Sequence, residues 1–177
     1  PHESTAEAIR TALERRGMAL VREVARRETG EEPFLVQLMG AMALFHGRIV
    51  EMLTGEGKTL TGSIAAPLIA WHYKHLHVFT VNDYLARRDA HSREGIYTRC
   101  LLRVGAITQE MSQADRFRTY SLPIVYGTPK QITADWLRDQ IRLGETGQNT
   151  PWAGRQAMAL GGESGSGPMI PGLRAAL

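Results

Sequence analysis

Six consecutive residues, Thr54-Gly55-Glu56-Gly57-Lys58-Thr59, carry the side chains and the backbone freedom needed to hold a phosphate group. Glycines let successive backbone N–H groups turn inward around an anion. A helix that starts at the lysine adds unpaired N–H groups and the positive end of its dipole. Lys58 would reach the β- and γ-phosphates of a nucleotide, and the Thr59 hydroxyl would ligate Mg²⁺. The pattern is the shorter G-x-G-K-T form, because Met52 stands where the longer phosphate-loop pattern places its first glycine. A plain helix-capping turn with an exposed lysine would use the same residues. The flanks favour the phosphate loop: an apolar run, Ile49 to Met52, leads in, and a long apolar-rich segment leads out.

The elements that must position this loop alternate between helix and strand. Apolar spacing predicts helical structure over Ser4 to Arg27, as one bent helix or two short ones interrupted at Gly17. Pro33 to Phe45 is a second apolar segment, containing Gln37. A strand is expected from Arg48 to Met52, then a helix from Lys58 to Trp71 that Pro67 should kink or restart. Strands follow at Leu76 to Val81, Leu102 to Ile107 and Leu122 to Tyr126. Helices are expected at Tyr84 to Cys100, capped by Asn82 or Asp83, at Ser112 to Tyr120, and at Ile132 to Arg142. This alternation specifies an α/β fold, a parallel sheet with flanking helices behind a helical N-terminal region. Three regions result: a helical 1–32, a partial nucleotide-binding domain over 33–143, and a Gly-rich tail or insertion over 144–177. That last stretch holds eight glycines and three prolines, with a loop expected over 161–172 and a short hint of another element from Pro171.

Composition narrows the class. A chain of 177 residues with 43% apolar content fits one medium domain. No run of eighteen apolar residues and no secretory leader is visible. The net charge of +3 comes from 18 arginines and 3 lysines interspersed with acids, which is not a concentrated nucleic-acid face. The lone cysteine, Cys100, sits in an apolar stretch and reads as a buried small hydrophobe. His72, His75 and His77 cluster without a carboxylate or thiolate, so they read as a surface turn and not as a metal site.

Three motifs follow one another along the chain. The first is Pro33-Phe34-Leu35-Val36-Gln37-Leu38-Met39-Gly40, followed at short range by His46-Gly47-Arg48-Ile49-Val50-Glu51-Met52-Leu53 and the phosphate loop. The second is Val81-Asn82-Asp83-Tyr84-Leu85-Ala86-Arg87-Arg88-Asp89-Ala90, and the third is Tyr126-Gly127-Thr128 with Asp135-Trp136-Leu137-Arg138-Asp139. In this order they resemble the SecA family of bacterial preprotein translocase ATPases, and the likeness covers roughly residues 19–139. It implies a P-loop NTPase, the first half of the first of two RecA-like motor domains, with ATP or ADP and Mg²⁺ as ligands. By resemblance Gln37 reads adenine, and Thr54, Gly55, Glu56, Gly57, Lys58 and Thr59 hold the phosphates and Mg²⁺. Asp83, Arg87, Asp89 and Arg138 are implied to couple nucleotide state to the rest of the motor. The implied partners are an unfolded preprotein, a membrane translocation channel and the second RecA-like domain; nucleic acid is not expected. The implied location is the cytoplasm, peripheral at the inner membrane.

The residues read by themselves leave several roles open. Gln37 offers a donor and an acceptor suited to adenine, but also suits a helix surface. Asp83, Arg87, Arg88 and Asp89 also suit a solvated helix face, and Arg138 an ion pair with Asp135 or Asp139. The family's acidic Walker B motif, D-E-x-D, does not occur in these 177 residues. The expectation is therefore a fragment of a larger ATPase, one that binds nucleotide without hydrolysing it. Two other functions use the same loop: a helicase-like, nucleic-acid-dependent ATPase, and a degenerate nucleotide-binding interaction module.

Overall fold

The computed structural model describes residues 2–145 and 168–177. Most of the expected Gly-rich loop lies outside these residues. Six helices are described: α1 (His2–Thr29), α2 (Leu35–Phe45), α3 (Lys58–Tyr73), α4 (Asp83–Arg99), α5 (Gln113–Tyr120) and α6 (Pro129–Glu145). Three strands, β1 (Leu76–Phe79), β2 (Val104–Ala106) and β3 (Ile124–Gly127), form a parallel sheet in the order β1-β3-β2. The register pairs Leu76 with Ile124 and Val104 with Ile124 on opposite edges of β3.

Every strand of a parallel sheet is covered on both faces, so its residues are apolar on both. Leu76, Val78, Ile124 and Tyr126 face one side, where they join Val21 and Ala25 of α1, Ile64 and Ile69 of α3, and Ala86 and Ile96 of α4. Val125 faces the other side, with Ile107, Tyr120 of α5, Ile132 of α6, Met169 and Ile170. This is the parallel α/β arrangement that the helix–strand alternation predicts, and it agrees with the RecA-like fold that the resemblance implies.

Local chemistry explains the helix ends. Asn82 caps α4, its Oδ1 accepting the Leu85 N–H at 2.9 Å. Thr128 caps α6 through the Gln131 N–H at 3.2 Å, and Pro129 takes the first helical position, where no N–H is needed. α1 continues through Gly17 as one helix. A Cβ at Gly17 would stand 3.0 Å from Leu68 Cδ2, so the glycine serves close packing of α1 on α3 instead of breaking the helix. α3 likewise runs on through Pro67.

Two expectations need correction. Residues 48–53 form no strand. A strand needs a neighbour's backbone, and the free edge of β1 is taken instead by the chain end, where the His77 N–H donates to the Ala175 carbonyl and the Leu177 N–H to the His77 carbonyl. The 48–53 segment lies against α2, with Val50 and Met52 beside Gly40, and leaves Ile49 and Leu53 exposed. The hint of an element after Pro171 is this edge segment. Second, the three histidines do not share a surface turn: His77 lies in the expected strand, now β1, and is 2% exposed, on the α5–α6 side beside Tyr120. Its ring nitrogens have no hydrogen-bond partner among the described residues, and burial pushes its pKa down to about 4.

Candidate nucleotide site

The loop from Thr54 to Thr59 turns into α3 through two glycines in the left-handed region, Gly55 at φ 89° and Gly57 at φ 78°. Gly57 is the residue from which α3 starts. A side chain is excluded there twice over. The conformation disfavours any Cβ, and an added Cβ would fall 2.3 Å from Gln37 Nε2. The first-turn N–H groups of α3 have no acceptor within the helix and are available to an anion. Lys58 and Thr59 are exposed side by side on that turn. Behind them the helix is buried from Leu60 to Ala70, except for the half-buried Gly62, which anchors the loop to a rigid base.

Gln37 is 6% exposed and braces the loop from beneath. Its Nε2 donates to the Glu56 carbonyl at 3.0 Å, and its Oε1 accepts the Phe34 N–H at 3.0 Å. A glutamine side chain has a second N–H and further lone pairs beyond these two bonds. Phe34 and Leu35, both largely exposed, flank it at the start of α2. The sequence pattern singled out Gln37 and the loop separately; the structure brings them together. The site's residues fit a Mg-nucleotide: two glycines that admit the anion, first-turn helix N–H groups, an ammonium with no ion pair among the described residues, and a hydroxyl beside it.

The residues expected to couple are placed elsewhere. Asp83 Oδ2 accepts the Gln109 N–H at 2.7 Å, and Arg87 donates to Thr108 Oγ1 at 3.0 Å and to Glu110 at 3.1 Å. Asp89 pairs with its neighbour Arg88. Arg138 pairs with Asp135. No described bond joins any of the four to Thr54–Thr59.

Sequence reasoning missed Arg116, on the short polar helix α5. It is 8% exposed and donates to Asp135 at 2.7 Å, to the carbonyls of Thr108 and Gln109 at 2.8 Å each, and to that of Met111 at 3.1 Å. Asp135, fully buried, also accepts from Tyr120 Oη at 2.8 Å and Gln131 at 3.1 Å. Asp83, Arg87 and Arg116 thus grip one loop, 108–111, from two sides. Beside it a cavity of about 440 Å³ is lined by Arg116, Asp135 and Arg138 with Met111 and Met169. Nothing in α5's composition distinguished Arg116 from the exposed Arg118.

No group of histidine, cysteine and acidic side chains among the described residues could hold a metal. Cys100 is buried as expected, and burial pushes its thiol up to about 11. No described helix is long and apolar enough to cross a membrane.

Residues 3–158 match the family described as the SecA DEAD-like domain. The chain belongs to that family. It is 44% identical over 126 residues to protein translocase subunit SecA 2 of Chlorobium chlorochromatii, covering 71% of this chain and 19% of that protein. It is 50% identical over 123 residues to SecA 1 of Thermobifida fusca, covering 70% of this chain and 13% of that one. The chain therefore spans less than a fifth of the length of these relatives. Among solved structures, a hypothetical ATP-dependent RNA helicase from Sulfolobus tokodaii superposes with a TM-score of 0.55 at 24% identity, over 67% of this chain and 36% of that one. At that identity the likeness speaks for the fold alone. Membership in the family supports nucleotide binding in a motor-type protein.

Proposed function

We propose that this chain is the ATP-binding part of a SecA-type motor that drives preproteins across a bacterial membrane. The observation that carries the reading is the first turn of α3: Lys58 and Thr59 stand exposed directly after a left-handed Gly57, and Gln37 holds the preceding Glu56 carbonyl. Here the loop amides and Lys58 take the β- and γ-phosphates, Thr59 takes the Mg²⁺, and the remaining N–H and lone pair of Gln37 take the adenine edge. Bound Mg²⁺ supplies charge neutralisation between the phosphates. Glu56 is exposed and serves through its backbone, since its carboxylate would repel the phosphates.

Asp83, Arg87, Asp89 and Arg138 act as coupling residues through the 108–111 loop and α6. The partners are the rest of the motor with its second RecA-like domain, an unfolded preprotein and the translocation channel, at the cytoplasmic face of the inner membrane. The chain alone binds nucleotide and does not turn it over, because it contains no D-E-x-D sequence to complete the Mg²⁺ shell and orient water.

Isothermal titration with Mg-ADP tests the site. Lys58→Ala removes a charged hydrogen-bond donor and should weaken binding about 10- to 100-fold. Equal affinities for wild type and variant would remove the basis of the assignment.

A further inference from the structure

The nucleotide site makes no use of the cavity between α5, α6 and Met169. Its volume of about 440 Å³ is room for one large side chain and the backbone on either side of it. Two of its walls are thioethers: Met111, half-buried in the 108–111 loop, and Met169, a buried member of the second apolar cluster. Methionine is unbranched and polarisable, so it adapts its shape, and it recurs on surfaces that take many different partners. The other walls are charged and already bonded. Arg116 donates to Asp135 and to three carbonyls. Asp135 accepts also from Tyr120, Gln131 and Arg138, and Asp139 accepts the Ile170 N–H at 2.8 Å. Two guanidiniums and two carboxylates cancel formally, so the cavity favours neither a phosphate nor an ammonium ligand. The network also holds the walls in shape before anything binds. Arg138 has a single described bond, to Asp135, and its side chain is 64% accessible. Its remaining N–H groups suit a carbonyl oxygen.

A neutral slot with adaptable apolar walls and a carbonyl-binding rim matches an unfolded polypeptide. A folded chain buries its large apolar side chains and pairs its backbone carbonyls; an unfolded one offers both together. Resting on the translocation reading above for the partner's identity, we propose that this cavity is a contact point for the unfolded preprotein. A large apolar side chain enters between Met111 and Met169, and Arg138 holds a flanking backbone carbonyl. The cavity selects for size and apolarity and is indifferent to sequence. The same 108–111 loop is held from its other side by Asp83 and Arg87 of α4, so an occupant that displaces Met111 acts on the residues assigned to coupling.

The test uses the full 177-residue chain with carbon-13 in its methionine methyls, read by NMR. The probe is a short glycine–serine peptide with leucines at its centre, and the control has serine in their place. The leucine peptide should shift the Met111 and Met169 methyls above all others. It should bind about 10-fold or more tighter than the control, the effect of burying one leucine side chain. Arg138→Ala, at an exposed side chain, should weaken the leucine peptide about 3- to 10-fold, the size of one hydrogen bond's net effect. Equal binding of the two peptides, or shifts confined to methionines away from the cavity, overturns the proposal. So does a single-stranded RNA oligonucleotide that moves the same two methyls.

Mg-ADP added to the same sample reports the nucleotide site separately, through the methyl of Met52 just before the phosphate loop. A Met52 methyl that ignores Mg-ADP fails the nucleotide reading and leaves the peptide result standing. A Met52 methyl that responds while the two peptides bind alike refutes the cavity alone.

Discussion

Replacing Arg116 by methionine tests the reading of the buried ion cluster most severely. Methionine keeps much of the volume and removes the charge and all four donated bonds. Asp135 is then left fully buried, with only the exposed end of Arg138 as a cation, whose side chain is 64% accessible. Breaking one partner of a buried pair costs about 3–5 kcal/mol. The freed carbonyls of Thr108, Gln109 and Met111 belong to a loop that can move toward water, so their loss adds little beyond that range. Against a total stability of about 5–15 kcal/mol this is a large share. With a urea slope of about 1–3 kcal/mol/M, the unfolding midpoint should fall by about 1–5 M. Arg138→Met, at the exposed partner, should cost about 1 kcal/mol or less. The double variant Arg116→Met/Asp135→Leu should be more stable than Arg116→Met alone, because the stranded carboxylate is gone. An Arg116→Met variant within about 1 kcal/mol of wild type would refute the claim that this cluster pins the 108–111 loop.

Two further perturbations read other parts of the fold. His77 titrates at 6.5 when free and at about 4 in the fold, where burial and neighbouring His75 oppose its charge. Its neutral form contributes stability that is intact above pH 6.5 and lost as pH falls toward 4, by about 3 kcal/mol at most. His77→Leu should remove that slope from an acid-unfolding series, and an unaltered slope would contradict the burial. Leu101 lies just beyond the C-cap of α4 at φ 59°, with its N–H bonded to the Thr98 carbonyl and its side chain 93% exposed. Leu101→Gly relieves a left-handed strain of about 1–2 kcal/mol, against about 0.4–1 kcal/mol of added chain entropy in the unfolded state. The melting temperature should rise by about 1–4 °C, and a fall would show that Leu101 packs in some way its exposure hides.

Much of the architecture was legible in residue patterns because the signals were local. Three strands and five of the six described helices fall within a few residues of their expected positions, since apolar spacing and a cap such as Asn82 act over a single turn; α2 was legible only as an apolar segment. The strand expected at 48–52 did not form, and no local signal could have shown this. Ile49 and Val50 suit a strand, but a strand exists only where another backbone offers its bonds, and that depends on residues more than a hundred positions away. The burial of His77, which the expected strand already contained, escaped for a related reason. Neighbouring histidines read as a polar turn, while the sheet register puts one of them into the interior.

The candidate site divides the same way. The amino-acid order by itself determined the anion-binding chemistry: the glycines, Lys58 and Thr59 must lie together because they are adjacent in the chain. Only the tertiary structure decided that Gln37 would brace the loop, that Arg116 would be buried against Asp135, and that the Tyr97 and Tyr126 hydroxyls would meet. Those contacts join residues 19 to 29 positions apart in the chain, across elements whose approach is set by how the two apolar faces of the sheet close.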